Sequence, residues 1–358
     1  MKRVLKGLYY SIYAGLRKMA WVNYYMQIIL SKMEKSKIYQ YVYWKRIVAQ
    51  SKNSEKFPEV ISFHVTHLCN ANCMMCPIPS RKRKDILSFE AYEKIITQDT
   101  HGHTPKKVFF TGGETTFDKT LHQKIELTRK VWPETLIKIF TRGDRLNEKV
   151  SFDIIKAGLD DITISVDAAD PNMYKNIRTN LDLKKILENA KIFNRLRRKI
   201  NRKKRPMMRF NMICLEKNKE SINDYINQMS KYVDIISITN AHNWGGHVND
   251  KTMKGFYDTE EDIKIKKVFT QVKRWPCWLI MTHIPIYWTG DVPYCGTDID
   301  MEYVMGNALE KSIYDIWNSP EYRELRSRHL NFDYDFGLCK RCNCHYNWWQ
   351  EHAVKSFD

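Results

Sequence analysis

The sequence lacks an apolar run long enough to cross a bilayer: the longest uncharged, apolar-rich stretch near its start, Met19 to Ser31, is too short. No secretory leader is expected, because Lys and Arg break up Met1 to Lys18 and no apolar core leads to a small-residue cleavage site. Paired disulfides are disfavoured, since the nine cysteines are an odd number and their spacings do not suit bridges. A reducing, cytoplasmic setting follows as the expectation. Acidic residues are scarce beside basic ones, 41 against 59, for a formal net charge of +18. Such an excess admits nucleic acid as a partner. Yet the basic runs Arg81 to Lys84 and Arg195 to Arg205 lack the interleaved aromatics of a base-stacking surface. An anionic small substrate or a membrane surface suits the charge better than RNA or DNA. Met1 to Gln50 has no glycine after Gly15 and is rich in Tyr, Trp, Ile, Lys and Arg. It reads as a helical extension: a cap packed on the rest of the chain, a basic amphipathic element in peripheral contact with a membrane, or a partner-binding helix.

What is present centres on Cys69-Asn70-Ala71-Asn72-Cys73-Met74-Met75-Cys76. Three thiolates at C-x3-C-x2-C spacing follow the β-rich run Ile61 to His67. A cubic 4Fe–4S cluster has four irons, so three protein ligands leave one iron open to a ligand that reacts. The bland alternative is a zinc site completed by His64 or His67, although zinc sites usually pair C-x2-C with a distant second pair. Downstream, apolar strand-like runs alternate with helical periodicity. Val108 to Thr111, Leu136 to Phe140, Ile162 to Asp167, Met207 to Cys214 and Ile235 to Thr239 read as strands. Ser88 and Glu90 mark a helix start, Gly158 a helix end, and Leu183, Ile186, Leu187 and Ala190 one helix face. Such alternation implies a parallel sheet with right-handed crossovers. The six units are too few for a closed eight-fold barrel.

The loop His67-Leu68-Cys69-Asn70-x-x-Cys73-x-x-Cys76-Pro77 resembles the signature of radical S-adenosylmethionine (SAM) enzymes. The resemblance implies an α/β fold, a partial (β/α)6 TIM-like barrel, with SAM chelated to the open iron of a 4Fe–4S cluster on Cys69, Cys73 and Cys76. It implies reductive SAM cleavage to a 5′-deoxyadenosyl radical that takes a hydrogen atom from the substrate. Gly112-Gly113-Glu114 resembles the family's glycine–glycine–glutamate motif, which binds the SAM amino group; Thr115 stands where the family usually has proline. The resemblance extends SAM contacts to Met75, to Thr141 at the third strand's end, to Ser165 and Asp167 at the fourth, and to Arg178 in Tyr174-x-x-Ile177-Arg178. On the residues alone, Ser165 and Asp167 read equally as strand-end caps and Arg178 as a solvated helix residue.

A second cysteine set, Cys277, Gly290-x4-Cys295 and Cys339-x2-Cys342, resembles the SPASM/Twitch extension of the same family. The longer family set houses two auxiliary clusters; here its later C-x5-C-x3-C part is absent, so one auxiliary 4Fe–4S cluster is expected on Cys277, Cys295, Cys339 and Cys342. Cys344 is a candidate substitute for Cys342, and a structural zinc on the same four cysteines is the rival reading. The expected organisation is a basic helical extension over 1–56, the barrel over 57–272 and an auxiliary iron–sulfur domain over 273–358. The expected activity is that of an oxidoreductase acting on a small sugar, aminocyclitol or nucleotide-linked substrate. An auxiliary cluster accepts the second electron, and a flavodoxin- or ferredoxin-type donor supplies the first. Alternatives are an epimerase using Cys214 as hydrogen donor, or a maturase of a ribosomal precursor peptide. Cys214 has no cluster role in this accounting, and its plain reading is a small buried apolar group.

Anaerobically reconstituted protein is expected to hold about eight iron and about eight sulfide per chain, from two cubic clusters. Replacing Cys69, Cys73 and Cys76 together with Ala should roughly halve that content and abolish SAM cleavage. An iron content of about four with one tightly held zinc would remove the electron-acceptor role of the second site.

Overall fold

The computed structural model describes residues 54–78, 85–200, 206–248 and 276–342, with isolated positions between 45 and 52. The expected N-terminal helical extension, the basic run at 81–84 and Cys344 lie outside the described residues, apart from those few positions. No helix among the described residues is long and apolar enough to cross a membrane.

Seven strands form one parallel sheet. Six arise where the sequence pattern places them: β1 (Val60–Thr66), β3 (Lys107–Gly112), β4 (Leu136–Thr141), β5 (Asp161–Ser165), β7 (Met207–Cys214) and β8 (Ile235–Asn240). With a seventh, β9 (His283–Tyr287), the order is β8-β7-β5-β4-β3-β1-β9, all pairs parallel. Helices α1 (Phe89–Ile96), α2 (Leu121–Val131), α3 (Glu148–Lys156), α4 (Pro171–Ile177), α5 (Leu183–Ile200) and α6 (Ile222–Met229) return the chain between strands. Local chemistry sets their ends. The Ser88 hydroxyl accepts the Ala91 N–H at 3.0 Å to start α1, and Gly158, at φ 100°, ends α3.

The seventh strand, β9 (His283–Tyr287), comes from the C-terminal part. It pairs with β1 from Val60↔His283 to His64↔Tyr287. The sequence reading missed it, because Pro285 interrupts the short run His283-Ile284-Pro285-Ile286-Tyr287. An edge strand tolerates the lost donor. The region expected as a separate auxiliary domain from residue 273 therefore shares a strand with the barrel. It continues as α7 (Trp278–Thr282) before β9, the hairpin β10 (Asp291–Pro293) with β11 (Val304–Asn307), then α8 (Ile313–Trp317) and α9 (Pro320–Leu330).

Side chains alternate between two faces along each strand. One face carries Ile61, Phe63, Val108, Phe110, Ile137, Ile139, Ile162, Ile164, Met208, Phe210, Ile236 and Ile238, all buried in the core. The register places Ser62, His64, Phe109, Thr111, Lys138, Phe140, Asp161, Thr163, Ser165, Arg209, Asn211 and Thr239 together on the opposite, inner face. Charges on that face pair with each other: Arg209 Nε reaches Asp161 Oδ2 at 2.8 Å, and Lys138 Nζ reaches Asp161 Oδ1 at 3.6 Å.

Part of the basic run at 195–205 is structural rather than solvated. Arg197 is buried on α5 and forks onto Asp234, with Nη2 to Oδ1 at 2.9 Å; the other oxygen also accepts the Met208 N–H at 2.8 Å. The pair ties α5 to the start of β7 and β8. Asp234→Ala should therefore cost about 3–5 kcal/mol by stranding a buried guanidinium. Urea denaturation of the variant checks this, and a loss under about 1 kcal/mol would remove the pair from the fold's essential contacts.

Candidate functional site

Cys69, Cys73 and Cys76 sit on the loop after β1, at the carboxyl ends of the strands. The loop is fixed from two sides. A two-residue antiparallel ladder joins β2 (Asn72–Cys73) to β6 (Arg178–Thr179), and Met74 N–H donates to Ile177 O at 3.1 Å. From the other side, Gly113 N–H donates to Thr66 O at 2.6 Å and Glu114 N–H to Leu68 O at 2.8 Å. Both glycines are required by this approach. A Cβ on Gly112 would lie 2.3 Å from Thr66 O, and one on Gly113 would lie 2.3 Å from Leu68 O. The glycine pair thus lets backbone meet backbone at the root of the cysteine loop.

Glu114 is buried and accepts five hydrogen bonds. Oε1 takes the Thr116 N–H at 3.2 Å, the Thr116 hydroxyl at 2.6 Å and the Thr141 hydroxyl at 2.5 Å. Oε2 takes Arg142 N–H at 2.8 Å and Arg142 Nε at 3.1 Å. A carboxylate has about four lone-pair sites, so its capacity is filled by this chain. Thr115, standing where a proline was expected, donates its hydroxyl to Phe140 O at 2.8 Å. Arg142 continues outward, with Nη1 3.3 Å from Cys69 Sγ and Nη2 3.0 Å from Asp144 Oδ1. Burial raises the Asp144 carboxyl despite the attraction of Arg142. The sequence reading missed Arg142; its only signal was its place beside Thr141 at a strand end.

The other expected residues are distributed as follows. Asp167 is fully buried, pairs with Arg178 Nε and accepts the Ile213 N–H at 2.7 Å. Arg178 is buried as well, with Nη1 3.5 Å from Cys73 Sγ, rather than solvated. Ser165 faces the lumen at the end of β5. Met75 is buried, its carbonyl accepting Trp244 Nε1–H at 3.0 Å. Trp244 opens a turn, Trp244–Gly246, that also meets the second cysteine region, where Arg341 Nε donates to Gly245 O at 2.6 Å. Cys214 does not face the lumen. It shares the parity of Met208, Phe210 and Met212, lies in the apolar core, and burial pushes its thiol up to about 12. The five-residue spacing from Arg209 to Cys214 turns the end of the strand toward the helices, which the strand-end argument did not count.

In the second set, Cys277 caps α7, Cys295 follows β10, and Cys339 and Cys342 lie on and after the 3-10 turn Gly337–Arg341. Cys295 is pushed up to about 12 by burial, then by Cys277 and Cys342 beside it. Buried His329 accepts the Cys277 N–H on Nδ1 at 3.2 Å, leaving Nε2 to face Cys339 Sγ at 3.4 Å.

Both sets fit iron–sulfur clusters. Burial raises Cys76 to about 12, with the charges of Cys73 and Cys69 adding to it, so the thiolates need a cationic body to ionise together. A single tetrahedral zinc with Zn–S near 2.3 Å would bring its sulfurs to about 3.8 Å from one another. Among the described residues the metal-type side chains grouped within 4.8 Å are His247, Asp300 and Glu302, and neither cysteine set is so grouped.

Residues 63–229 match the model of the radical SAM superfamily, and residues 277–343 match that of an iron–sulfur cluster-binding domain, SPASM. The GTP 3′,8-cyclase of Petrotoga mobilis is 30% identical over 131 residues, covering 36% of this chain and 40% of the cyclase. The chain spans about half the length of the curated relatives it matches. The structure of BtrN in complex with AdoMet and 2-DOIA superposes with a TM-score of 0.53 at 18% identity, over 80% of this chain and 94% of BtrN. Streptococcus suis SuiB bound to precursor peptide SuiA gives 0.60 at 15% identity, over 88% of this chain and 79% of SuiB. At these identities the shared property is the fold.

The placement of Cys214 predicts inertness. With its pKa raised from 9.0 to about 12, its thiolate fraction at pH 8 is lower by about a thousandfold. Iodoacetamide should leave Cys214 unlabelled in the folded holoprotein and label it after denaturation, as read by peptide mass spectrometry. Cys214→Ala should keep SAM cleavage and turnover.

Proposed function

For a chain that belongs to the radical SAM superfamily and carries a SPASM domain, we propose oxidation of a small, hydroxyl-rich substrate, a sugar, aminocyclitol or nucleotide-linked sugar, held in the barrel lumen. The single observation that carries this reading is the lumen's lining. Thr111, Thr163, Ser165, Asn211 and Thr239 share the inner face toward the strands' carboxyl ends. They offer hydroxyl and amide groups that donate and accept, the complement of a polyol. Asn211 and Thr239 already bond across the β7–β8 step at 3.2 Å, which holds their orientation. Beneath them Asp161 takes both Lys138 and Arg209, so these cations are engaged rather than presented to a triphosphate of the kind that the name of the related cyclases implies.

Cys69, Cys73 and Cys76 are the proposed ligands of the SAM cluster, and Cys277, Cys295, Cys339 and Cys342 those of the auxiliary one. Met75, Gly112, Gly113, Glu114, Thr141, Ser165, Asp167 and Arg178 are the proposed surroundings of SAM. When bound, the first cluster and SAM supply reductive cleavage of SAM and hydrogen-atom abstraction, and the auxiliary cluster supplies an electron acceptor. This chain's residues aim and shield that chemistry. Glu114 fixes the ends of β3 and β4 through Thr141 and Arg142. Trp244 covers the cysteine loop at Met75. The lumen groups orient the substrate's hydroxyls. An external one-electron donor of the flavodoxin or ferredoxin type belongs to the same reading. The core-facing Cys214 speaks against the epimerase. A precursor peptide remains the competing substrate, since SuiB, bound to one, shares the fold.

The test supplies reconstituted enzyme with SAM, a reductant and a panel of ring-deuterated polyols. Deuterium in 5′-deoxyadenosine together with a ketone product supports the proposal, and turnover on peptides alone rejects it. Cys277→Ala should keep 5′-deoxyadenosine formation while ending ketone formation. Asn211→Ala should raise KM about fivefold, the loss of about 1 kcal/mol for one hydrogen bond.

A further inference from the structure

Resting on the assignment of Cys69, Cys73 and Cys76 as cluster ligands, we propose that Arg142 and Arg178 are positioning residues that set the reduction potential of the SAM cluster. Each delivers a cationic N–H to the sulfur of one ligand, Arg142 Nη1 to Cys69 Sγ at 3.3 Å and Arg178 Nη1 to Cys73 Sγ at 3.5 Å. Neither side chain has much freedom to do otherwise. Their exposures are 5% and 8%. Arg142 is held by Glu114 at Nε and by Asp144 at Nη2. Arg178 is held by Asp167 at Nε, and its backbone pairs directly with that of Cys73 in the β2–β6 ladder.

Reduction adds one negative charge to the cluster. A cationic donor on a ligand sulfur stabilises the reduced form more than the oxidised form, and the effect is larger in a buried, low-dielectric setting. The carboxylates oppose it, but they grip the guanidinium at other nitrogens, while Nη1 touches the sulfur. The nearer charge wins, and the potential rises. Lys would not serve equally, because one planar fork must grip a carboxylate and a sulfur at once. Two sulfurs of the auxiliary set meet neutral groups. Cys339 meets His329 Nε2, whose hydrogen is assigned there because Nδ1 accepts the Cys277 N–H; Cys295 Sγ lies 3.3 Å from the Thr297 hydroxyl. Arg142 and Arg178 bond sulfurs of the first set, so the auxiliary cluster serves as an internal reference for their replacement.

The experiment is an anaerobic redox titration of the full-length holoprotein, followed by electron paramagnetic resonance. The signal that SAM perturbs is the one read. Arg142→Gln and Arg178→Gln should each shift its midpoint to more negative potential, the double variant further, with the auxiliary midpoint unmoved. Asp144→Asn removes a counter-charge from Arg142 while leaving the cysteine loop intact, and should shift the midpoint to more positive potential. Midpoints equal to the parent's at full iron content, or equal shifts of both clusters, overturn the proposal. If a Gln variant fails to hold the cluster, Asp144→Asn decides: a positive shift supports the proposal, and an unmoved or negative midpoint overturns it. Failure of the ligand assignment has a different signature. The triple cysteine variant would then retain the SAM-perturbed signal, whatever the arginine variants do.

Discussion

The parallel pairing of β9 with β1 fixes the geometry on which the rest of the site depends. β1 leads into the loop of Cys69, and β9 leads through β10 to Cys295. Side chains reinforce the ladder: His64 stacks on Tyr287 with ring centroids 4.4 Å apart, and His67 lies against Trp288 at 4.2 Å. Burial holds His64 neutral, lowering it to about 3, so its stacking on Tyr287 does not titrate near neutral pH. The two cysteine regions thus issue from adjacent strands of one sheet. A second bridge runs through the Trp244–Gly246 turn, which meets Met75 on one side and Arg341 on the other.

Below that frame, the site is organised by buried charge. Glu114, Asp144 and Asp167 would each be costly to bury alone, and so would Arg142 and Arg178. Together they form a paired set whose remaining donors point at sulfur. The lumen follows the same economy, with Asp161 shared by Lys138 and Arg209. These pairs are weak arguments for net stability, since desolvation consumes most of their attraction. Their value is positional, because few other arrangements satisfy so many donors.

Much of this was legible in the sequence, for physical reasons that differ by residue. Strong periodicity marked six of the seven strands, because a strand buried on its helix side shows its pattern locally. The cysteine spacing marked the loop after β1, because a loop able to chelate must carry its sulfurs within a few residues. β9 was hidden, since its partner is remote in the chain and Pro285 breaks its pattern. Glu114 was legible as a candidate SAM contact, while its partners Thr141 and Arg142 lie one strand away and left no local trace. Cys214 was judged by its place at a strand end, where the count of alternate residues from Arg209 decides which face it takes. Arg197 looked like part of a basic run until Asp234, just before β8, supplied a partner.

The β1–β9 ladder also has a consequence for how the chain comes to its native state. Residues 60–64 must wait for residues 283–287 before one side of β1 is paired. During synthesis the first six strands emerge with that edge bare, and a bare edge is a template for unwanted pairing between chains. Closure is a late, long-range event, and so a slow one. Until it occurs, β1 is paired with β3 alone. The order in which the two sides of β1 are paired is thus a property of the topology itself, β3 coming before β9.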